Sequence, residues 1–382
     1  EAVSRLELWR RLAPIVVFVK QHQHAQVWES LSELLATDAV EGDKHLVELL
    51  TESEELWIVH TWLVSAAIQA DHVAEVWDIL PEEGRLSSLL WDIEEQKSAH
   101  AVNVILELLR SEDPDSVEVI YCDALSAKLK DEIPAAIAKY HEFMKHPDSD
   151  ESDFVYSARN SLVEFALKAA DWKTVVAGLP NETLLKNFAS KLVQQRRIDD
   201  AMAVVEMAKQ QGATLSDTVG TEAEIYHAEK DWPVLCALCD QWLAERDPEN
   251  DSLQSGYYSF GDPVSHCVDA WLATGQPDRA KLFLAENPSP YALATNRLKI
   301  AVTENDQAAA EAAYAEAETK NESAPRIMQL GEFGKAIWSE AWRDFRRRHP
   351  VSSYSIVDSS VPVSKAVLLQ SDVTGMSVEQ LQ

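Results

Sequence analysis

Residues 184–208 read LLKNFASKLVQQRRIDDAMAVVEMA, and the spacing of their apolar side chains is that of two helices joined by a short turn. Leu184, Leu185, Phe188, Leu192 and Val193 recur at steps of three and four, which places them on one stripe of an α-helix. A polar turn follows at Arg197–Asp199, with aspartate available to cap the next helix. Ala201, Val205 and Ala208 then resume helical spacing. Helix, short polar turn and second helix make a hairpin.

The same arrangement recurs along the chain. Further polar turns stand at Gln21–Gln23, Ala70-Asp71, Gln96–Ser98, Lys130-Asp131, Ala170-Asp171, Lys230-Asp231, Gln276–Asp278 and Asn305-Asp306. Their mean spacing is about 36 residues, close to the period of helix–turn–helix arrays. Helical stripes flank them, as in Ile120, Ala124, Leu125 and Leu129, or Leu235, Leu238, Cys239 and Trp242. Strict apolar/polar alternation, the mark of a half-buried strand, is absent up to residue 348. Glycine is scarce, 11 of 382 residues, whereas β-turns and phosphate-binding loops both depend on it. The expected fold is all-α, an α-solenoid of stacked antiparallel helical hairpins spanning residues 1–348, with a non-helical tail over 351–382.

Second-helix residues carry a family resemblance. Ala310, Tyr314 and Ala317 follow a small–large–small spacing of four and three; Ala201, Val205 and Ala208 repeat it, and Ala136 and Tyr140 do so with Phe143 in the third place and Pro147 beyond. This series resembles the tetratricopeptide repeat family in degenerate form. The resemblance implies hairpins that approach closely at alanine, with the larger residue filling the gap to the next hairpin.

Composition narrows the function. With 34 basic and 64 acidic residues the net charge is −30, which repels nucleic acid and anionic lipid and favours a basic partner. The longest uncharged helical stretch, Trp57–Ala70, falls short of the roughly 20 apolar residues of a membrane span. The apolar run at 13–19 follows Arg10 and Arg11 but contains Pro14 and lacks a cleavage site, so it is not read as a signal peptide. Cys122, Cys236, Cys239 and Cys267 are too few for a disulfide framework in a chain of this length, so a reducing, cytoplasmic compartment is expected. Tryptophans at stripe positions, among them Trp77, Trp91, Trp242 and Trp271, are expected in the core.

Two regions interrupt the repeats. Residues 247–263, DPENDSLQSGYYSFGDP, form an expected loop insertion that presents Tyr257, Tyr258 and Phe260. Residues 326–348 carry six basic side chains against three acidic ones, with Leu330, Phe333, Ile337, Trp338, Ala341, Trp342 and Phe345 at helical spacing. A basic terminal helix closing the last hairpin is expected there. Its Arg343, Arg346 and Arg347, with the three aromatics, are the candidate partner-binding residues.

No pattern reaches catalytic or metal-binding specificity. His141 and His146 stand five apart, so they diverge around a helix and cannot grip one zinc ion. Cys236-Ala-Leu-Cys239, with His227, His266 and Cys267, has enough ligands for zinc. It sits on an amphipathic stripe, where cysteines act as small buried hydrophobes; zinc and redox chemistry are its alternatives. The carboxylates of 148–153 lack the glycine and distal glutamate of a calcium loop, and read as a polar turn with a capping acid. No catalytic, cofactor-binding or metal residue is assigned.

The sequence therefore points to a non-catalytic protein–protein interaction scaffold or adaptor whose acidic surface engages a basic protein, without direct nucleic-acid or membrane contact. The alternatives are a regulatory solenoid that sequesters a nucleic-acid-binding protein, and the helical part of a larger multidomain enzyme. Glu1 in place of methionine and the linker-like tail motivate the last.

Overall fold

A computed structural model describes residues 12–13, 15–40, 57–80, 84–245, 263–286, 293–319, 325 and 327–349, with backbone alone for 35–40, 57–59, 286, 328 and 329. The described residues form helices and turns and no strand. The expected loop with Tyr257, Tyr258 and Phe260, and the expected tail at 351–382, lie outside them.

The chain divides into two compact units, Glu1–Leu179 and Pro180–Gln382. In the first, five hairpins follow one another: α1 (15–20) with α2 (His24–Val40), α3 (Trp57–Ala70) with α4 (Val73–Ile79), α5 (Arg85–Gln96) with α6 (Ala99–Glu112), α7 (Val117–Leu129) with α8 (Ile133–Lys145), and α9 (Val155–Lys168) with the single turn α10 (Trp172–Val175). In the second, α11 opens as a π-helix at Thr183–Ala189 and continues as Ser190–Gln194, pairing with α12 (Ile198–Gln210). Then come α13 (Leu215–Glu229) with α14 (Trp232–Glu245), α15 (Pro263–Ala273) with α16 (Pro277–Glu286), and α17 (Leu293–Thr303) with α18 (Gln307–Thr319).

One turn chemistry closes eight of these nine hairpins. His22, Asp71, Lys97, Asp131, Arg196, Lys230, Gly275 and Asn305 each adopt a left-handed conformation, with φ from 54° to 71°. The following amide, at Gln23, His72, Ser98, Glu132, Arg197, Asp231, Gln276 or Asp306, donates to the carbonyl five residues earlier at 2.7–3.1 Å. This is the helix stop in which a left-handed residue lets the chain fold back and satisfy a carbonyl that the helix leaves unpaired. The turns expected at Arg197–Asp199 and Gln276–Asp278 each lie two residues earlier, at 195–197 and 274–276, because Arg196 and Gly275 are the left-handed residues and α12 and α16 begin at Ile198 and Pro277. At the fifth turn Asp171 keeps φ −102° and α10 is a single turn.

The cores form where the stripes meet. In the first unit Tyr121 stacks on Phe154 at 4.5 Å and meets Tyr140 and Phe143 edge-on, with Ala136 fully buried beside them. In the second, Ala201, Val205 and Ala208 are fully buried, as is Trp271, which meets Phe283 edge-on at 4.9 Å. The cysteines differ from expectation. Cys239 and Cys267, buried on α14 and α15, are joined as a disulfide with their Cα atoms 5.8 Å apart, while Cys122 and Cys236 are free. Trp91 differs too: it lies 76% exposed on α5, whereas Leu89, Leu90 and Ile93 hold the buried side.

The terminal segment closes the last hairpin, but not as the expected continuous helix over 326–348. It runs as 3-10 turns at Ile327–Trp338 and Glu340–Trp342, then as α19 (Arg343–Arg348). Gly331 breaks the helix at φ 57°, ψ −137°, backbone that glycine adopts without a Cβ clash. Leu330, Ile337, Trp342 and Phe345 nevertheless pack on Leu298, Ala301 and Ala310. Trp342 Nε1 donates to Asn305 Oδ1 at 2.8 Å, tying the segment to the turn it covers.

A side chain in the left-handed region costs roughly 1–2 kcal/mol relative to glycine, offset in part by the greater freedom of unfolded glycine. Lys97 is exposed. Replacement Lys97→Gly is expected to stabilise by about 1 kcal/mol and raise Tm by a few degrees. Gly275→Ala is expected to destabilise by a similar amount, although its added methyl would meet open space. Thermal unfolding checks both, and a lower Tm for Lys97→Gly would contradict the assignment of the turn.

Candidate functional site: a polar ladder between first helices

Successive first helices are joined through polar side chains that sit one repeat apart. In the first unit Ser88 Oγ lies 3.2 Å from His60 Nε2, and Gln96 Nε2 donates to Ser65 Oγ at 3.1 Å, linking α3 with α5. Lys128 on α7 reaches both ways: Nζ donates to Glu94 Oε1 of α5 at 2.7 Å and to Ser161 Oγ of α9 at 3.0 Å. In the second unit Ser190 Oγ donates to Glu224 Oε2 at 2.6 Å, linking α11 with α13. His227 Nε2 lies 3.0 Å from Asp269 Oδ2, and Lys299 Nζ donates to Asp269 Oδ1 at 2.6 Å, linking α13, α15 and α17. Asn296 Nδ2 adds a 3.1 Å bond to Ser265 Oγ.

Among the described residues, the group around Asp269 is the most buried set of charges. Lys299 is 4% exposed and Asp269 7%. Burial opposes the carboxylate's charge, but the His227 hydrogen bond and the Lys299 ammonium prevail and hold its pKa below the usual value. The His266 ring sits 4.8 Å from that of His227. Burial, then the neighbouring His227, lower its pKa to about 4, so it is neutral at pH 7. A buried ion pair of this kind adds little net stability while intact; losing one partner costs about 3–5 kcal/mol. Asp269, His266 and Trp232 surround the His227 ring. They fix its orientation, and through Asp269 they tie it to Lys299 of α17.

An outward patch of different character lies in the first unit. Trp91 on α5 and Tyr156 on α9 are 76% and 71% exposed. Ser87 Oγ, one turn before Trp91, donates to Asp153 Oδ2 at 3.2 Å, which brings the turn before Tyr156 against α5. Asp148, Asp150, Glu151 and Asp153 of that turn are all exposed. The turn expected here is present, but no side chain caps α9: Phe154 occupies the N-cap. Beside Trp91 on α5, burial and then Glu95 raise the Asp92 pKa to about 6.

The expected arginines are placed as follows. Arg346 donates to the carbonyls of Ile337 and Ser339 and lies 5.7 Å from the Trp338 ring, so it braces the broken terminal segment. Arg343 and Arg347 pair with Glu340 and Asp344 three residues away. Exposed pairs of this kind are weak, at most about 1 kcal/mol. Among the described residues no three His, Cys, Asp or Glu side chains are placed to hold a metal ion, and no helix is long and apolar enough to cross a membrane. No protein-family model matches the chain, and no curated protein matches it.

The ladder escaped sequence reading because each of its charges looks like an ordinary surface residue. The available signal was a charge inside an apolar stripe, as Asp269 in VDAWL and Lys299 in LKIAV, repeated one hairpin later.

Asp92 and His266 predict opposite pH effects. Asp92 binds its proton more tightly in the folded state, so its ionisation opposes folding: the penalty is absent below pH 3.8 and complete above about 6. Asp92→Asn should therefore raise Tm at pH 7.5 and lose that advantage near pH 3.5. His266 resists protonation when folded, so stability falls as pH drops from 6.5 towards 4, by up to about 1.4 kcal/mol per pH unit. His266→Gln should remove that slope, and Tm measured across the range checks both signs.

Proposed function

We propose that this protein is a non-catalytic, helical-repeat scaffold whose acidic surface engages a protein with a basic patch. The observation that carries the reading is the ladder: it takes up polar groups inside the hairpin stack to fix one repeat against the next. With the internal register held in this way, the outer faces are free to vary for recognition. The net charge of −30 then sets the sign of the partner.

Trp91 and Tyr156, beside the exposed carboxylates of 148–153, offer the contact that fits such a partner. An aromatic face attracts lysine or arginine by about 0.5–2 kcal/mol, and neighbouring carboxylates add to it. The test is affinity capture followed by titration of the recovered protein at low and high salt. Binding is expected to weaken as salt rises from about 0.05 to 0.5 M, and Trp91→Ala is expected to lower affinity several-fold without changing Tm. A partner with an apolar interface whose affinity ignores salt would overturn the proposal.

A further inference from the structure

The second unit holds three sulfur atoms at one helix interface. Cys239 on α14 and Cys267 on α15 form the bridge, and both are fully buried among Leu235, Trp242, Val268 and Trp271. A soluble thiol has no direct approach to either sulfur. Cys236 is the exception to this enclosure. It is a free thiol, half-buried rather than enclosed, and lies one turn before Cys239 on α14. Its Sγ lies 3.6 Å from Thr274 Oγ1, just past the end of α15, so it borders the interface that the bridge crosses. Residues three apart on an α-helix have Cα atoms about 5 Å apart, within the range a disulfide spans, while their Cβ atoms, about 5–6 Å apart, must close by about 1–2 Å, so bridging them shifts the backbone of α14 locally.

We propose that Cys236, Cys239 and Cys267 form a thiol–disulfide exchange site, in which Cys236 connects the buried bridge to a soluble dithiol. Cys236 loses its proton, and its thiolate attacks Cys239 Sγ. A Cys236–Cys239 bond forms as the Cys239–Cys267 bond breaks, and the electron pair leaves on Cys267 as a thiolate, which takes up a proton. No outside electrons enter this step. The new bridge lies within one helix and has a partly exposed sulfur at Cys236, where a soluble dithiol attacks. The dithiol is oxidised to its own disulfide and leaves Cys236 and Cys239 reduced. The covalent tie between α14 and α15 is then gone, and the steps run in reverse under an oxidised dithiol.

The test uses the whole chain in its bridged form, exposed to dithiothreitol under native conditions, acid-quenched, alkylated and digested with trypsin without reduction. Cys236 and Cys239 fall in one tryptic peptide, 231–246, and Cys267 in another. Cys122 is fully buried, and burial raises its thiol pKa, so it stays silent in the native protein. The expected intermediate is peptide 231–246, two hydrogens lighter and free of label, together with alkylated Cys267. Cys236→Ser is expected to slow loss of the original bridge at least about tenfold with Tm unchanged. Should that variant fold poorly, Cys267→Ser treated with diamide is expected to form the 236–239 bridge. Equal rates of bridge loss with and without Cys236, or failure to form the 236–239 bridge, would overturn the proposal.

Discussion

Everything in this molecule depends on how each first helix stops. An α-helix ends with unpaired carbonyls, and a chain that must return antiparallel within two or three residues cannot leave them all to water. A single left-handed residue followed by an amide that reaches back five positions solves both problems. Asp71, Lys97 and Arg196 adopt this conformation despite carrying a Cβ, and the strain is offset by the packing that each reversal makes possible. The stripe of the first helix can then lie against the stripe of the second, as Tyr121 lies against Tyr140 and Phe143.

Once the reversal is repeated, equivalent positions of neighbouring first helices come within hydrogen-bonding distance, and the ladder becomes possible. Its bonds join residues 28 to 42 apart in sequence, which is one repeat. Alanine and leucine stripes alone would tolerate sliding of one hairpin along the next. A lysine such as Lys128, bonded to Glu94 on one side and Ser161 on the other, does not, because a slip of one turn would strand a charge in a half-buried site. Asp269, held between His227 and Lys299, applies the same constraint in the second unit. The acidic excess left over gives the chain its net charge of −30.

Much of this was legible in the sequence. All nine reversals were visible as polar interruptions of helical periodicity, because left-handed turns favour Gly and Asn and helix caps favour Asp and Asn. The buried alanines at 136, 201, 208 and 310 were also visible, since only a small residue allows so close an approach. What escaped depends on three-dimensional placement. Periodicity runs unbroken from Leu330 to Phe345, yet Gly331 turns the backbone where no spacing rule can register it. Trp91 has the composition of a core residue and the position of a surface one. The pairing of Cys239 with Cys267 depends on how α14 meets α15, and three of four cysteines within 32 residues admit several partners. Of the site residues, Arg346 was visible as a basic residue, but its role in bracing its own segment required the broken backbone to be seen.

The reversals are hydrogen-bonded structural elements rather than passive loops. Native-state amide hydrogen exchange tests this directly at Gln23, His72, Ser98, Glu132, Arg197, Asp231, Gln276 and Asp306. These amides are predicted to exchange as slowly as the helix interiors beside them, opening only with their hairpins, while amides at the fifth turn, around Asp171, exchange faster. Exchange at all eight positions at the rate of an open loop would mean that the reversals are not held by these hydrogen bonds.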